Sequence, residues 1–239
     1  MLIIAHRGAS AYAPENTGPA FLRAIALQAD GVELDVHLSA DGEIVVNHNF
    51  TLDENSNGSG FIYEHTLDQL KALDFGSWKG PDFGGARLLT LEEALILVRG
   101  MRVINIEIKA GEKPYNGLPQ KVCEVVERMG LAEKVIVSSF NHQVAMEAKR
   151  CLPAVKAGLL YDKPITHPAQ YAAKLGADAI HPHSRLLNRR QVQECLDRGL
   201  QVNVWTVDNP ARARTLQSWG CTAVITNQPD VIRDALQAQ

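Results

Sequence analysis

The first short apolar run of the chain, residues 2–5, is followed at once by His6, Arg7 and Gly8. Four apolar residues suffice for a buried parallel strand, so His6 and Arg7 are expected where that strand ends. Chemistry in α/β folds is concentrated at strand ends. An imidazole can move a proton, a guanidinium can hold a phosphate and a glycine permits close backbone approach, so these residue types suit phosphoryl-group chemistry.

Charged residues alternate on two later β-type segments. Glu33 and Asp35 are two apart in GVELDV, and Glu107 and Lys109 are two apart in INIEIK, so each pair points to one face of its strand. Three carboxylates held close together repel unless a cation intervenes, and their simplest role is to bind a hard divalent metal. Oxygen-only ligation favours Mg²⁺, Ca²⁺ or Mn²⁺ over zinc. Glu107 and Lys109 could instead form a neighbouring ion pair without a catalytic task.

A predicted hairpin brings a second histidine to these acids. Asp41 and Gly42 give the turn signal of a two-residue hairpin between alternating runs. Counting outward from that turn pairs Asp35 with His48, which places His48 on the same face as Glu33. Two histidines beside a metal can supply a general acid and a general base.

Length and composition restrict the possible function classes. The 239 residues suit one large α/β domain or two small ones, and the net charge of −3 favours small neutral or anionic ligands over nucleic acid or anionic membranes. The four cysteines lack the short paired spacings of zinc sites and disulfide frameworks. With no signal-peptide pattern and no long apolar run, we expect a cytoplasmic protein without stable membrane insertion. Homo-oligomerisation stays open.

Short β-type runs alternate with amphipathic helix-type stretches, a pattern typical of repeated βα units and a parallel sheet. The β-type runs are LIIA, GVELDV, VINIEIK, KVIVSSF, KAGLLY, DAIHP, QVNVWTV and AVITN. Eight strands close a (β/α)₈ TIM barrel of about 250 residues, in which all carboxyl-terminal strand ends face one mouth. An open doubly wound sheet is disfavoured because the first βα turn lacks GxGxxG.

Residues 50–89 break this rhythm. The segment begins with the polar TLDENSNGSG and contains one short helix, which Thr66 and Gln69 start with a capping box, as Thr90 and Glu93 do for the next helix. Long loops inside a compact domain are usually lids or binding elements. We therefore expect one domain over residues 1–239, with residues 50–89 as a small insertion or lid.

Together these segments resemble the glycerophosphodiester phosphodiesterase family. The resemblance rests on AHRGASAYAPENT and AFLRAIALQADGVELDVHLSADGEIVVNH, then on NIEIK, VNVWTVDN and VITNQPD, and it extends over essentially the whole chain. HRG, PENT and ELDV in this order and spacing are highly specific. The cytosolic bacterial type is the most similar in overall look.

The resemblance implies an α/β fold, a TIM barrel with a small insertion after the second strand and its hairpin. It also implies a site built from three groups of residues. Glu33, Asp35 and Glu107 would hold one divalent cation. His6 and His48 would form an acid/base pair, and the substrate contacts would come from Arg7, Lys109 and Trp205. Considered alone, a tryptophan in an apolar strand such as Trp205 could equally be a core residue.

The activity that the resemblance implies is metal-dependent hydrolysis of glycerophosphodiesters, such as glycerophosphocholine and glycerophosphoethanolamine, to glycerol 3-phosphate and an alcohol. The nucleophile is either water or the substrate's own free hydroxyl, by way of a cyclic phosphate. One alternative is a lysophospholipase D-type phosphodiesterase, for which Phe61, Ile62, Trp78 and Phe83 could form an apolar entry. The other is a phosphometabolite-binding barrel without turnover.

Two positions depart from the family pattern. The family usually has aspartate after the second histidine, where this chain has Asn49, and it often has Thr-Asp near the end, where this chain has Thr226 and Asn227. Neither departure removes a predicted metal ligand or acid/base group. Asn49 is expected to keep the hydrogen bonding of the aspartate while losing its charge.

Overall fold

The apolar runs of the sequence form the strands of one sheet. A computed structural model describes residues 1–111 and 117–238 of the chain. The strands in these ranges are β1 (Leu2–His6), β2 (Gly31–Leu38), β3 (Ile44–Val46), β4 (Leu89–Thr90), β5 (Val103–Ile108), β6 (Val135–Ser139), β7 (Lys156–Tyr161), β8 (Ala179–Pro182), β9 (Gln201–Val204) and β10 (Ala223–Thr226).

Eight of these strands close into a parallel barrel. Their order around the barrel is β1, β2, β5, β6, β7, β8, β9 and β10, and β10 pairs with β1 to complete the circle. Each of the eight apolar runs contributes one barrel strand, so the predicted TIM barrel is confirmed. Because all eight strands run in the same direction, their carboxyl ends open at one mouth.

Helices cover the outside of the barrel. The helices of the described residues are α1 (Gly18–Ala26), α2 (Leu67–Ala72), α3 (Leu91–Val98), α4 (Leu118–Arg128), α5 (His142–Cys151), α6 (Pro168–Leu175), α7 (Arg189–Leu196), α8 (Pro210–Ser218) and α9 (Pro229–Gln237). Apolar side chains such as Phe21 of α1, Leu95 of α3 and Val122 of α4 are fully buried against the strands. Among the described residues, no helix is long and apolar enough to cross a membrane.

β2 shows how the alternation of side chains separates core from site. Val32, Leu34 and Val36 are fully buried in the outer core under the helices. Glu33 and Asp35 alternate with them, so these two carboxylates point into the barrel. A barrel strand is buried on both of its faces, and the polar residues on its inner face therefore need partners inside the barrel.

The hairpin after β2 forms, but the predicted register is wrong by one residue. β3 pairs antiparallel with β2, and the residue opposite Asp35 is Asn47, whose backbone N donates to the carbonyl oxygen of Asp35 at 3.1 Å. His48 is therefore one position beyond the predicted pair. It still reaches the site because the chain leaves the ladder after Asn47.

The loop of the hairpin explains the shift. The backbone N of Ser39 donates to the carbonyl oxygen of Glu43 at 3.0 Å, so the loop has three residues rather than two. Gly42 occupies its last position with a left-handed φ of 81°. A three-residue loop with a left-handed glycine is the next common hairpin geometry after the two-residue loop, and the local sequence is compatible with both.

Residues 50–89 leave the barrel and return as β4, which pairs antiparallel with β3. The capping boxes predicted at Thr66 and at Thr90 are both present and start α2 and α3. Short 3₁₀ turns at Ile62–Glu64 and Pro81–Phe83 flank α2. The segment has a small apolar core of its own against β3, made of Val45, Leu52, Ile62, Leu70, Phe75 and Leu88.

A buried histidine inside the barrel links stability to pH. His181 of β8 is fully buried, and its Nε2 lies 3.0 Å from Nδ2 of Asn203 in β9. It occupies the space beside Gly158 of β7, where a Cβ atom would lie only 2.6 Å from the imidazole. Burial lowers the pKa of His181 to about 3. The folded protein therefore holds this ring neutral at pH values where an unfolded histidine is protonated.

We expect His181 to contribute stability that is fully present above pH 6.5 and is lost as the pH falls toward 3, because only the unfolded chain gains the proton. Between pH 8 and pH 5, urea unfolding should show a loss about 2 kcal/mol larger in the wild type than in His181→Gln. His167→Gln, at an exposed position, should behave like the wild type. Equal losses in the wild type and in His181→Gln would contradict this expectation.

Candidate active site

The predicted site residues meet at the carboxyl-terminal mouth of the barrel. A cavity of about 150 Å³ there is lined by His6, Arg7, Glu33, His48, Asn105, Glu107, Phe140, Leu160, Trp205 and Ile225. Asp35 and Lys109 join this group through ion pairs with Arg7 and Glu107. A larger cavity of about 510 Å³ opens at the opposite mouth, and its lining includes none of the predicted site residues.

The three predicted metal ligands form one buried cluster. Glu33, Asp35 and Glu107 are all buried, and one carboxylate oxygen of each lies within 4.8 Å of the others. The parallel register of β2 and β5 produces this cluster, because Asp35 lies opposite Glu107 and Glu33 lies opposite Asn105. All three side chains therefore project from adjacent strands toward the same point.

The electrostatics of this cluster fit a bound cation. Burial and the charges of Asp35 and Glu107 raise the pKa of Glu33 well above its usual value. Burial, followed by the charge of Asp35, raises the pKa of Glu107 to about 7. A divalent cation would offset this repulsion, and a set of carboxylate oxygens at this spacing suits a hard ion such as Mg²⁺ or Ca²⁺.

Two basic side chains already offset part of the negative charge. Nζ of Lys109 lies 2.9 Å from Glu107 and 3.4 Å from Asp35, and Nε of Arg7 lies 3.6 Å from Asp35. Burial would raise the pKa of Asp35, but Lys109 and Arg7 outweigh it and hold that pKa well below its usual range. Asp35 is therefore the carboxylate of the cluster that stays ionised most easily.

A tight turn formed by Arg7 and Gly8 follows β1. Arg7 and Gly8 both have left-handed backbone angles, with φ of 55° and 81°. A Cβ atom on Gly8 would lie 2.6 Å from the carbonyl carbon of Ala20 in α1, so glycine allows the turn to approach that helix. The backbone N of Arg7 then donates to Oε2 of Glu33 at 2.9 Å. The close backbone approach predicted at Gly8 is therefore an approach to helix α1.

Both predicted acid/base histidines line the cavity. Nδ1 of His6 lies 2.7 Å from Oδ1 of Asn227, and Nδ1 of His48 lies 2.7 Å from Oδ1 of Asn49. Burial, followed by the charge of Arg7, lowers the pKa of His6 to about 4. Burial also lowers the pKa of His48. The hydrogen bonding expected of Asn49 is therefore present, and burial favours the neutral form of both imidazoles.

Trp205 forms part of the apolar wall of the cavity. Its Nε1 donates to the carbonyl oxygen of His181 at 2.7 Å, which holds the indole across the barrel mouth. The rings of Phe140 and His183 lie nearly perpendicular to its ring, with centroids 5.6 and 5.4 Å away. Trp205 is thus both a packing residue and a lining residue. Phe140, directly after β6, had no role in the expectations from sequence.

Two further residues without a predicted role contact the site. The side chain of Asn16 is buried; its Nδ2 donates to Oδ2 of Asp35 at 2.8 Å, and its Oδ1 accepts from the backbone N of Asp35. Glu15 accepts from Arg7 at 3.0 Å. Both belong to PENT, whose order and spacing after HRG were the available signal. Their partners became evident only in the folded chain.

Comparisons with known proteins identify the family of this chain. The family model described as "Glycerophosphoryl diester phosphodiesterase family" matches residues 6–231. This chain belongs to that family. The match begins at His6 and spans all eight predicted site residues. Family membership and the barrel architecture together confirm the resemblance inferred from the sequence.

Relatives and solved structures cover the chain almost completely. The glycerophosphodiester phosphodiesterase of Caldanaerobacter subterraneus subsp. tengcongensis is 38% identical over 232 residues, covering 97% of this chain and 96% of the relative. A phosphodiesterase of Oleispira antarctica, solved in complex with the product sn-glycerol-3-phosphate, has a TM-score of 0.89 at 30% identity, covering 100% of this chain and 97% of that chain. The Agrobacterium tumefaciens glycerophosphodiester phosphodiesterase has a TM-score of 0.86 at 28% identity, covering 98% and 99%.

Relief of the repulsion in the carboxylate cluster is measurable as stability. The pKa of Glu33 is higher in the folded protein than in the unfolded chain, so the ionised carboxylate destabilises the fold. This destabilisation is fully present when the pH is above both the folded-state and the unfolded-state pKa. At pH 8 in the presence of a chelator, we expect Glu33→Gln to raise the free energy of unfolding by roughly 0.5–2 kcal/mol. The same variant should weaken binding of Mn²⁺ in calorimetric titrations.

The matched control is Glu43→Gln, at the exposed position directly after the hairpin loop. It should change neither the free energy of unfolding nor the binding of Mn²⁺. Destabilisation of Glu33→Gln in chelator would show that the cluster is not held against repulsion as described. Wild-type affinity of Glu33→Gln for Mn²⁺ would show that Glu33 is not a ligand of the cation.

Proposed function

We propose that this member of the glycerophosphoryl diester phosphodiesterase family hydrolyses glycerophosphodiesters, such as glycerophosphocholine and glycerophosphoethanolamine, to glycerol 3-phosphate and an alcohol. Family membership makes the chain a phosphodiesterase. The observation that carries the proposal is the meeting of two histidines and a buried carboxylate cluster at one cavity. The sn-glycerol-3-phosphate bound to the Oleispira antarctica phosphodiesterase supports the product class.

Glu33, Asp35 and Glu107 are the proposed ligands of one divalent cation, with Mg²⁺ or Ca²⁺ favoured and Mn²⁺ as a further candidate. Their burial, the spacing of their oxygens and the raised pKa values of Glu33 and Glu107 support this assignment. When bound, such a cation supplies positive charge against the nonbridging phosphoryl oxygens.

Arg7 and Lys109 are the proposed phosphate-binding residues. Nε of Arg7 is buried and lies beyond hydrogen-bonding distance of its nearest carboxylate, at 3.6 Å from Asp35. Its N–H group is therefore suited to a phosphoryl oxygen at the cavity. Lys109 is held between Asp35 and Glu107. Fixed positive groups of this kind stabilise charge that develops on phosphoryl oxygens in the transition state.

His6 and His48 are the proposed acid/base pair. One imidazole accepts the proton of the nucleophile, and the other donates a proton to the oxygen of the leaving alcohol. If water is the nucleophile, glycerol 3-phosphate forms in one step. If the free hydroxyl of the glycerol attacks, a cyclic phosphate forms first and water opens it. The lowered pKa of both rings supports a neutral resting state for the one that acts as base.

Residues 50–89 are proposed to serve the site as an insertion within one domain. Two residues of this segment, Glu54 and Asn55, accept hydrogen bonds from Asn49, which contacts His48. Lys79 donates to the carbonyl oxygen of Ser10 in the turn after β1. The insertion thus forms hydrogen bonds with the residue after His48 and with the turn that follows His6. Trp205 with Phe140 is the proposed apolar wall for the glycerol or the alcohol.

The lysophospholipase D-type alternative has one specific observation in its favour. Phe61 and Trp78 of the insertion are exposed to 41% and 43%. Ile62, which was expected at the same apolar entry, is fully buried in the core of the insertion and does not contribute. The binding barrel without turnover is disfavoured by family membership and by the presence of both histidines at the cavity.

The decisive assay measures release of glycerol 3-phosphate from glycerophosphocholine by purified protein with Mg²⁺, Ca²⁺, Mn²⁺ or chelator. We expect metal-dependent release that is abolished in the double variant Glu33→Gln, Asp35→Asn. His6→Gln and His48→Gln should each lower kcat by about 10²- to 10⁴-fold, the usual contribution of a general acid or base. His167→Gln should keep wild-type activity.

Substrate comparison separates the alternatives in the same assay. Faster turnover of the monoacyl analogue than of glycerophosphocholine, reduced by Phe61→Ser, would favour the lysophospholipase D-type function. No release from either substrate with any metal, while Mn²⁺ still binds, would overturn the proposed hydrolysis.

A further inference from the structure

Each proposed acid/base histidine shares a hydrogen bond with an asparagine oxygen, His6 with Asn227 and His48 with Asn49, both at 2.7 Å. A neutral imidazole carries its proton on either Nδ1 or Nε2, and its partner decides which. An asparagine can present either its oxygen or its NH₂ group, and the two choices demand opposite tautomers. The orientation of each amide therefore decides which nitrogen of each ring can accept a proton.

Asp208 determines the orientation of Asn227. Nδ2 of Asn227 donates to Oδ2 of Asp208 at 2.6 Å, and the backbone N of Asn227 donates to Oδ1 of the same carboxylate at 2.8 Å. An ionised carboxylate only accepts, so the NH₂ group must face Asp208 and the oxygen must face His6. Oγ of Ser10 donates to that same oxygen at 2.8 Å. Nδ1 of His6 must then carry the proton.

The same arrangement recurs at the second histidine. Nδ2 of Asn49 donates to Oε2 of Glu54 at 2.8 Å and to Oδ1 of Asn55 at 2.6 Å. The carboxylate of Glu54 again accepts only, so the oxygen of Asn49 faces Nδ1 of His48. Two unrelated parts of the chain, the insertion and the β9–α8 loop, thus supply a carboxylate to an asparagine that contacts a histidine.

We propose that Asp208 and Glu54 are positioning residues that act through Asn227 and Asn49 to hold both histidines as the Nδ1–H tautomer. Nε2 is then the nitrogen with the lone pair, on rings that both line the cavity. The catalytic meaning of this arrangement rests on the proposed function of the histidines. The arrangement itself rests only on the hydrogen bonds.

Asp208 and Glu54 contact the asparagine amides and not the imidazole rings, and this gives them a different effect from a carboxylate that contacts the ring directly. Each carboxylate removes the alternative orientation of the amide, because a flipped amide would lose a charge-assisted hydrogen bond and point its oxygen at a carboxylate. It places no negative charge on the imidazole itself. The asparagine is thus the orienting group of the base, as a third residue is in other nucleophile and base arrangements.

The two positioning residues should differ in strength. Asp208 is partly buried and accepts three hydrogen bonds, from Oγ1 of Thr226 and from both nitrogens of Asn227. Glu54 is exposed, and the amide of Asn49 has a second acceptor in Asn55. Loss of Asp208 should therefore disturb His6 more than loss of Glu54 disturbs His48.

The first test reads the tautomers in the wild-type protein and uses variants only to assign signals. In ¹⁵N-labelled protein at pH 8, long-range ¹H–¹⁵N correlation spectra distinguish the two tautomers of each neutral ring, and the spectra of His6→Gln and His48→Gln assign the signals. We expect the Nδ1–H tautomer for both histidines. An Nε2–H tautomer for His6 would overturn the proposal.

The second test replaces Asp208 by its isostere. In Asp208→Asn, an NH₂ group must face either the backbone N or Nδ2 of Asn227, so the amide of Asn227 is no longer held in one orientation. We expect mixed tautomers at His6 and a fall in kcat of about tenfold, with KM little changed. Thr226→Val is the matched control, because it removes a different hydrogen bond to Asp208 and should keep both the tautomer and kcat.

Glu54→Gln, whose amide can donate as well as accept, should lower kcat by less than Asp208→Asn does, because Asn55 still accepts from Asn49. Asp208→Asn with a wild-type tautomer and wild-type kcat would overturn the proposal. Absence of phosphodiesterase activity in a wild-type protein whose histidines have the expected tautomers would instead count against the proposed function alone, so the two failures are distinguishable.

Discussion

Burial of three carboxylates at one barrel mouth is the constraint around which the site is organised. Glu33, Asp35 and Glu107 repel one another in a poorly solvated position, and burial together with this repulsion raises the pKa of Glu33 and of Glu107. Three neighbouring side chains offset part of the negative charge at Asp35: the cations Lys109 and Arg7, and the buried amide of Asn16. This compensation is incomplete, and the remaining deficit of positive charge suits the cluster to the cation proposed for it.

The barrel makes this concentration of charge possible. Parallel pairing of β2 with β5 sets Asp35 beside Glu107, and pairing of β1 with β2 sets His6 beside Glu33. On the outward faces of the same strands, aliphatic side chains pack under the helices. Stability and chemistry thus use alternate residues of the same strands, because side chains alternate with a period of two.

The histidines are positioned by longer-range contacts than the carboxylates. Asn49 and Asn227, the two departures from the family pattern, are the residues whose oxygens contact His48 and His6. Asn49 is oriented by residues of the insertion, and Asn227 is oriented by Asp208 in the loop after β9. The insertion is thereby part of the support of the site.

Short-range sequence patterns were sufficient for the strands, the capping boxes at Thr66 and Thr90 and the faces of the acidic residues, because periodicity and local hydrogen bonding decide these features. The hairpin register was mispredicted, because Asp41 and Gly42 permit loops of two or three residues and only packing of the hairpin against the barrel chooses. The contact of His6 with Asn227 spans 221 residues of sequence. Only closure of the barrel, which sets β10 beside β1, brings such partners together, and no local pattern encodes it.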